Sequence, residues 1–217
     1  MGKPALSDAI QDYLKEIYNL GAEGGRVTVT ALARRLHVSP ASASAMVKKL
    51  VALELVHHAA YRSVSLTPAG DRIALEVVRH HRLLELYLAE TLGLAIDAVH
   101  DEADRLEHHL SEELEARIDH ALGFPTHDPH GHPIPTVDLD VGHAHRIRSL
   151  ASLEPGEHAL VSSVPDGDPA RLRHLSRLGL LPGRQVELRK AQPLTVLIDG
   201  AEHVIPRDLA AEVGVAS

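Results

Sequence analysis

The stretch TALARRLHVSPASASAMVKKL, residues 30–50, decides how the first third of the chain is read. Thr30 stands where it caps a short helical run, ALARRL, and HVSP breaks that run. Ser39 then offers a side-chain oxygen to the free amides of a new helix. Pro40 suits that helix's first position, where an N–H has no intrahelical partner. Two helices joined by so tight a turn, the second opening on small polar residues, predict a helix-turn-helix.

The flanking sequence extends this unit. Ile10, Tyr13, Leu14, Ile17 and Tyr18 recur at helical spacing, so a helix is expected from about Ser7, which caps it, to Leu20, before Gly21. After the second helix, which runs to about Leu53, LVHHAAYRSVSLT (55–67) reads as two short strands around a polar tip at 61–63. Three helices and a small hairpin predict a winged helix-turn-helix. On its recognition helix Ser39, Ser42 and Ser44 suit close approach to phosphate, and Ala41 or Ala43 suits a thymine methyl. Lys48 and, at the wing tip, Arg62 suit phosphate. Side chains this small predict modest base readout and a strongly salt-dependent affinity.

Charge is divided along the chain in the same sense. The 217 residues carry a net charge of −8, which argues against a nucleic-acid partner, yet nine basic and six acidic residues fall in 1–75, leaving 13 and 24 for the remainder. A basic front end on an acidic body predicts one module facing DNA and another holding something cationic. Cysteine is absent, so thiolate metal sites and disulfides are excluded. The N-terminal residues lack the apolar core of a secretory signal, and no apolar run approaches a membrane span; a cytoplasmic protein without membrane contact is expected. HExxH, nucleophile-elbow and P-loop motifs are also absent, so neither an enzyme nor a small-molecule substrate is expected.

From Pro68 to Leu122 the pattern is helical almost throughout. One helix carries Ile73, Val77, Leu84 and Leu88 on its apolar face; a second, AVHDEADRLEHHLSEELEARIDHAL (98–122), carries Val99, Leu106, Leu110, Leu114 and Ile118. Two such helices predict a dimerisation surface. Positions i, i+3 and i+4 share a helix face, so Asp104, Glu107 and His108 converge, and His81 and Glu85 form a second pair that His100 completes. A charged helix face is more often simply solvated, and spacing alone leaves the two readings balanced. Nitrogen and oxygen donors without sulfur favour Mn²⁺ or Fe²⁺, although Zn²⁺ binds such groups too.

GFPTHDPHGHPIPTVDLDVGH (123–143), with four prolines and three glycines, reads as a connector or long structured loop. Its HDPHGHP segment (127–133) invites a further metal reading, against which the connector reading is favoured. Beyond it, alternating strands, one helical stretch near Ala170–Arg177 and an IDG turn predict a small β domain.

DYLKEIY in the first helix, HHRLLE in the fourth, GLAIDAVHDEADRLEHHLSEELEARI and DPHGHPIP, in that order, resemble the diphtheria-toxin-repressor family of metal-dependent transcriptional regulators, in its manganese-responsive branch. The resemblance spans essentially the whole chain. It implies a mainly α fold with small β parts: a winged helix-turn-helix at 1–74, a helical dimerisation and metal-binding domain with its connector at 75–145, and an SH3-like β-barrel at 146–217.

The resemblance also implies a primary metal site of Asp12, Asp104, Glu107 and His108, and an ancillary site of His81, Glu85 and His100 with Asp168 from the C-terminal domain. Asp12 and Asp104 stand where iron-responsive members place methionine and cysteine, so the implied effector is Mn²⁺, with Fe²⁺ as the alternative and Zn²⁺ or Cd²⁺ as substitutes in vitro. Lys15 occupies the position of a glutamate that pairs two metals in some two-domain members, so two separated sites are implied. The implied partners are a second copy of the chain and a palindromic operator, metal selecting one orientation of the DNA-binding domains. A metal-independent winged-helix regulator is the competing reading.

Overall fold

The computed structural model describes residues 6–58, 63–142 and 147–216. They form two compact units: residues up to His80 together with 137–139, and His81–Thr136 together with Asp140 onward. Among the described residues, no helix is long and apolar enough to cross a membrane.

In the first unit α1 spans Asp8–Ala22, α2 Val29–Arg35 and α3 Pro40–Ala52, followed by strands β1 (Val56–His58) and β2 (Val64–Leu66). The strands pair antiparallel with His57 opposite Ser65, giving the expected wing; Arg62 lies outside the described residues. Ser39 caps α3 by accepting from the Ser42 amide at 3.0 Å, with Pro40 at the first turn. The cap of α2 is Thr28, not Thr30: the Thr28 hydroxyl accepts from the Ala31 amide at 3.1 Å, so the helix begins two residues earlier than its apolar pattern implies. Ser7 flanks α1 in extended conformation but makes no side-chain cap. Leu14, Leu32, Val47 and Leu50 have no exposed surface and form the centre of this unit's core. Each such side chain contributes on the order of 2 kcal/mol on burial.

Helix α4 (Pro68–Glu90) crosses the division between the units. The expected single helix over 98–122 is broken: α5 spans Val99–Leu106, a 3-10 turn covers Glu107–His109, and α6 spans Glu112–Ala121. Leu110 adopts an extended backbone, and Ser111 restarts the helix by accepting from the Leu114 amide at 3.3 Å. The predicted apolar stripe therefore divides, with Val99 and Ile118 buried and Leu106 and Leu114 exposed.

The C-terminal part is an antiparallel sheet of six strands in the order β3-β8-β4-β5-β6-β7, formed by Arg148–Ser149 (β3), His158–Ser163 (β4), Gln185–Ala191 (β5), Leu194–Ile198 (β6), Ala201–Val204 (β7) and Gly214–Ala216 (β8). It carries helices α7 (Pro169–Arg177) and α8 (Arg207–Glu212) and encloses its own core, centred on Leu150, Leu175, Leu180, Val196 and Val215. The IDG sequence turns β6 into β7 with positive φ at both Asp199 and Gly200, as a two-residue hairpin turn requires.

The proline-rich stretch 123–136 is a built loop, not a loose connector. His127 and Pro133 form an antiparallel bridge around a turn in which Asp128 Oδ1 accepts from the amides of His130 and His132, at 2.8 and 2.9 Å. The Val164 amide donates to the His130 carbonyl, joining the turn to the chain just after β4. Gly131 sits so close to β4, at φ +86, that a Cβ there would lie 1.9 Å from the Ser162 carbonyl oxygen.

Candidate metal centre and recognition helix

Two adjacent turns of α4 place His81 and Glu85 on one face, and the first turn of α5 brings His100 against them. His81 Nε2, His100 Nδ1 and Glu85 Oε1 stand 3.0, 3.0 and 3.1 Å from one another. Donor atoms about 2.1 Å from one six-coordinate ion are roughly 3 Å apart, so this triangle has the spacing of one face of an octahedral site. Glu85 is fully buried, and its second oxygen, Oε2, has no hydrogen-bond partner.

The same cluster reaches Asp104, Glu107 and His108. His81 Nδ1 is 2.6 Å from Glu107 Oε2 and 3.2 Å from Asp104 Oδ1, while Glu107 Oε1 is 3.4 Å from His108 Nε2. The structure thus joins the sequence's two clusters through the two ring nitrogens of His81. The helix break explains how: Glu107 and His108 sit on the 3-10 turn, not on a continuous α-helical face, and Glu107 is buried at its start. Asp12 lies half-buried on α1, in the other unit.

Electrostatics follow this crowding. Burial opposes protonation of His81, but the Glu85 charge and the Asp104 and Glu107 carboxylates outweigh it and hold the ring protonated well above its usual range. For Glu85, burial would raise the pKa. The His81 charge and the facing rings of His100 and His130 instead hold the carboxyl well below the usual range. His100 is also shifted up, Glu85 overriding the effect of burial.

Asp168 does not join this cluster. It is exposed at the N-terminus of α7, where Oδ1 accepts from the amides of Ala170 and Arg171, so its carboxylate is spent on capping. Asp166, two residues earlier, is the carboxylate that approaches: one donor atom each from Glu85, His130 and Asp166 lie within 4.8 Å of one another. Asp166 is the residue that sequence reading missed, and His130 belongs to the HDPHGHP segment, for which the connector reading is favoured over a metal one. The Asp-Pro pair at 168–169, a helix-start pattern, was the available signal that Asp168 had other work.

On α3, Ser39, Ala41, Ser42 and Lys48 are exposed and Ser44 is half-buried. Ala43 has no exposed surface, which removes it from the two alanines expected to meet a thymine methyl: it faces the core beside Val47.

Comparison with known proteins agrees with this architecture along the whole chain. Residues 5–64 match the model of the iron-dependent repressor N-terminal DNA-binding domain, and 67–136 that of the iron-dependent repressor metal-binding and dimerisation domain. The iron-dependent repressor IdeR of Mycobacterium tuberculosis is 34% identical over 225 residues, covering 97% of each chain. The chain belongs to the iron-dependent repressor family of metal-dependent transcriptional regulators. Residues 148–217 match the FeoA domain, which supplies the six-stranded SH3-like sheet of this family member. The diphtheria toxin repressor of Corynebacterium diphtheriae is 40% identical over 140 residues, 64% of this chain and 62% of that one. A solved structure described as a manganese-dependent transcriptional repressor in complex with manganese superposes with a TM-score of 0.89 at 38% identity, over 96% of this chain and 99% of the other. Another, of ScaR with bound Zn²⁺, superposes with a TM-score of 0.80 at 29% identity, over 95% and 98%.

Proposed function

We propose that this family member is a manganese-responsive, homodimeric, cytoplasmic repressor without enzymatic activity, binding a palindromic operator when its two metal sites are filled. The observation that carries the reading is the donor set: buried His81 and Glu85 and half-buried His100 at about 3 Å spacing, one carboxylate oxygen accepting no hydrogen bond, and no cysteine sulfur. Hard oxygen and borderline nitrogen donors favour Mn²⁺ over ions that prefer thiolate, with Fe²⁺ next and Zn²⁺ or Cd²⁺ as substitutes. The buried Glu85 Oε2, which accepts no hydrogen bond, supports the fit of these residues to a cation.

In this reading Asp12, Asp104, Glu107 and His108 hold the primary ion. His81, Glu85 and His100 hold the ancillary one with Asp166 as the carboxylate from the FeoA part. The bound metal supplies positive charge that neutralises mutually repelling carboxylates. Asp12 comes from the DNA-binding module, at 1–74, and Glu107 and His108 from the dimerisation module, at 75–145; shared ligation by these residues restricts the orientations open to the winged helix. The C-terminal module, at 146–217, steadies the loaded state. Exposed Leu106, Leu114 and Phe124 supply apolar surface for the second copy. Ser39, Ala41, Ser42 and Ser44 then approach the major groove, and Lys48 and Arg62 meet phosphates.

The test is a DNA-binding titration of metal-stripped protein with Mn²⁺, Fe²⁺ and Zn²⁺, on wild type and Asp104→Ala. Binding that requires Mn²⁺ in wild type and is lost in the variant supports the reading. A metal-independent winged-helix regulator would bind equally in every arm.

A further inference from the structure

On the reading that His81, Glu85 and His100 hold the ancillary ion, we infer that Arg173 and Ile96 are positioning residues for that site. Through them the FeoA part grips the turn at Ile96 and Asp97 and so sets where His100 stands against His81 and Glu85. The first observation is that α5 has no fastening of its own at its start. Its N-cap is Ala98, which makes no side-chain hydrogen bond, and alanine is among the weakest caps. The neighbouring Asp97 carries a carboxylate suited to a helix N-terminus, yet its Oδ2 accepts from Arg173 Nη1 on α7, at 2.9 Å.

The second observation is that the same turn is gripped at two further points. The Ile96 side chain packs against the apolar core of the C-terminal part, to which α7 contributes Leu172 and Leu175. The Ile96 carbonyl accepts from His130 Nε2 at 3.0 Å. A side chain, a carbonyl and a carboxylate on two consecutive residues are therefore all held from outside the α4–α5 pair. On its other side the turn is short: the Leu94 amide donates to the Leu88 carbonyl at 3.1 Å, closing the end of α4, and the Ala98 amide donates to the Ala95 carbonyl at 2.8 Å.

The third is the short path from this grip to the ligands. Val99 has no exposed surface, and His100 follows it directly on the first turn of α5. His100 Nδ1 stands 3.0 Å from Glu85 Oε1 and 3.1 Å from His81 Nε2. His81 and Glu85 precede the turn, on α4, and His100 comes after it, so the turn sets the separation between the two halves of the site. A site whose support lets a ligand drift by about 1 Å works poorly even with every ligand present. The side chains of Arg173 and Asp97 are 49% and 20% exposed, so their ion pair is a modest contributor and the Ile96 side chain the larger one.

For the test, metal-stripped full-length protein is titrated with Mn²⁺ and free Mn²⁺ is read by its paramagnetic resonance signal. The samples are wild type, Arg173→Ala, Arg173→Lys, Ile96→Ala, Asp97→Asn and the double variant Asp97→Asn, Arg173→Ala, each checked by circular dichroism. His100→Ala marks which binding step belongs to the ancillary site. Arg173→Ala is expected to weaken that step by about threefold to fivefold, as loss of a half-exposed ion pair implies. Ile96→Ala is expected to weaken it by about tenfold or more, and neither variant to change the primary step. Arg173→Lys, which keeps the charge, should recover wild-type binding, and the double variant should bind no more weakly than Arg173→Ala. Should Ile96→Ala fail to fold, the variants at half-exposed Arg173 decide the matter. Ancillary steps that coincide with wild type overturn the inference, and so does a loss shared equally by both steps, which marks a general loosening. Wild type with no step that His100→Ala removes sinks the ancillary site itself; wild type with that step and unaffected variants sinks the positioning role alone.

Discussion

His130 points Nδ1 at Glu85 Oε2 across 3.5 Å, while its other nitrogen is held by the Ile96 carbonyl. Glu85 is thereby the common counter-charge of three histidines, His81, His100 and His130, at a position with no exposed surface. Removing it strands those rings. Glu85→Ala is expected to destabilise metal-free protein at neutral pH by about 3 kcal/mol or more, as for other buried pairs broken from one side. Glu85→Gln, which retains hydrogen-bonding atoms, is expected to cost less while also weakening Mn²⁺ binding. Urea melts of the two variants with and without Mn²⁺ provide the comparison.

The stability of metal-free protein is expected to depend on pH from both sides. His132 is half-buried, and desolvation alone would lower its pKa, but the Asp128 and Asp166 carboxylates push it up to about 10. A histidine raised in this way contributes stability that is complete below about 6.5, its unfolded value, and lost as pH rises through about 10. His81 acts in the same direction. Glu85 and Asp166 are depressed, so their contribution is present above about 4 and lost as pH falls through their folded values. The midpoint of thermal unfolding should therefore be highest at about pH 4 to 6.5 and decline toward pH 10, and His132→Asn should flatten the alkaline decline. A slope unaffected by that substitution contradicts the assignment.

The cap of α2 gives a simple contrast. Thr28 accepts from the Ala31 amide, so Thr28→Ala is expected to cost about 1 kcal/mol. Thr30→Ala, inside the helix, should cost less or even stabilise, because alanine is the better helix former. Chemical denaturation of both variants decides between the two caps.

Lys48 is exposed on α3 and reads as a phosphate contact. Lys48→Ala should weaken DNA binding similarly on all sequences and reduce the slope of log affinity against log salt by about 1. An unchanged slope places Lys48 away from the backbone.

The sequence carried the architecture well where local signals agreed. Ser39 and Pro40 marked the start of α3 to the residue, and Asp199-Gly200 marked a hairpin turn. It failed where tertiary packing overrode a locally continuous pattern. No proline or glycine interrupts 98–122, yet burying Glu107 against His81 accompanies a break at 107–111, for which Ser111 was the one legible sign. Half of the candidate site was legible from i, i+4 spacing. The rest, His130, His132 and Asp166, comes from a loop and a strand end whose approach depends on Gly131 closing against Ser162, a contact between residues far apart in the chain.

The central claim is that metal ligation controls DNA binding, and one measurement addresses it directly. Duplex DNA selected from a random library with Mn²⁺-loaded wild-type protein is titrated, at fixed salt, with metal-stripped protein, Mn²⁺-loaded protein and Asp104→Ala in excess Mn²⁺. Ligation of Asp104 predicts tight binding by the loaded wild type, and affinity lower by at least about a hundredfold, or roughly 2.7 kcal/mol, for the other two. Equal affinity for loaded and stripped wild type would contradict the account, and would make the acidic cluster on α5 a solvated helix face.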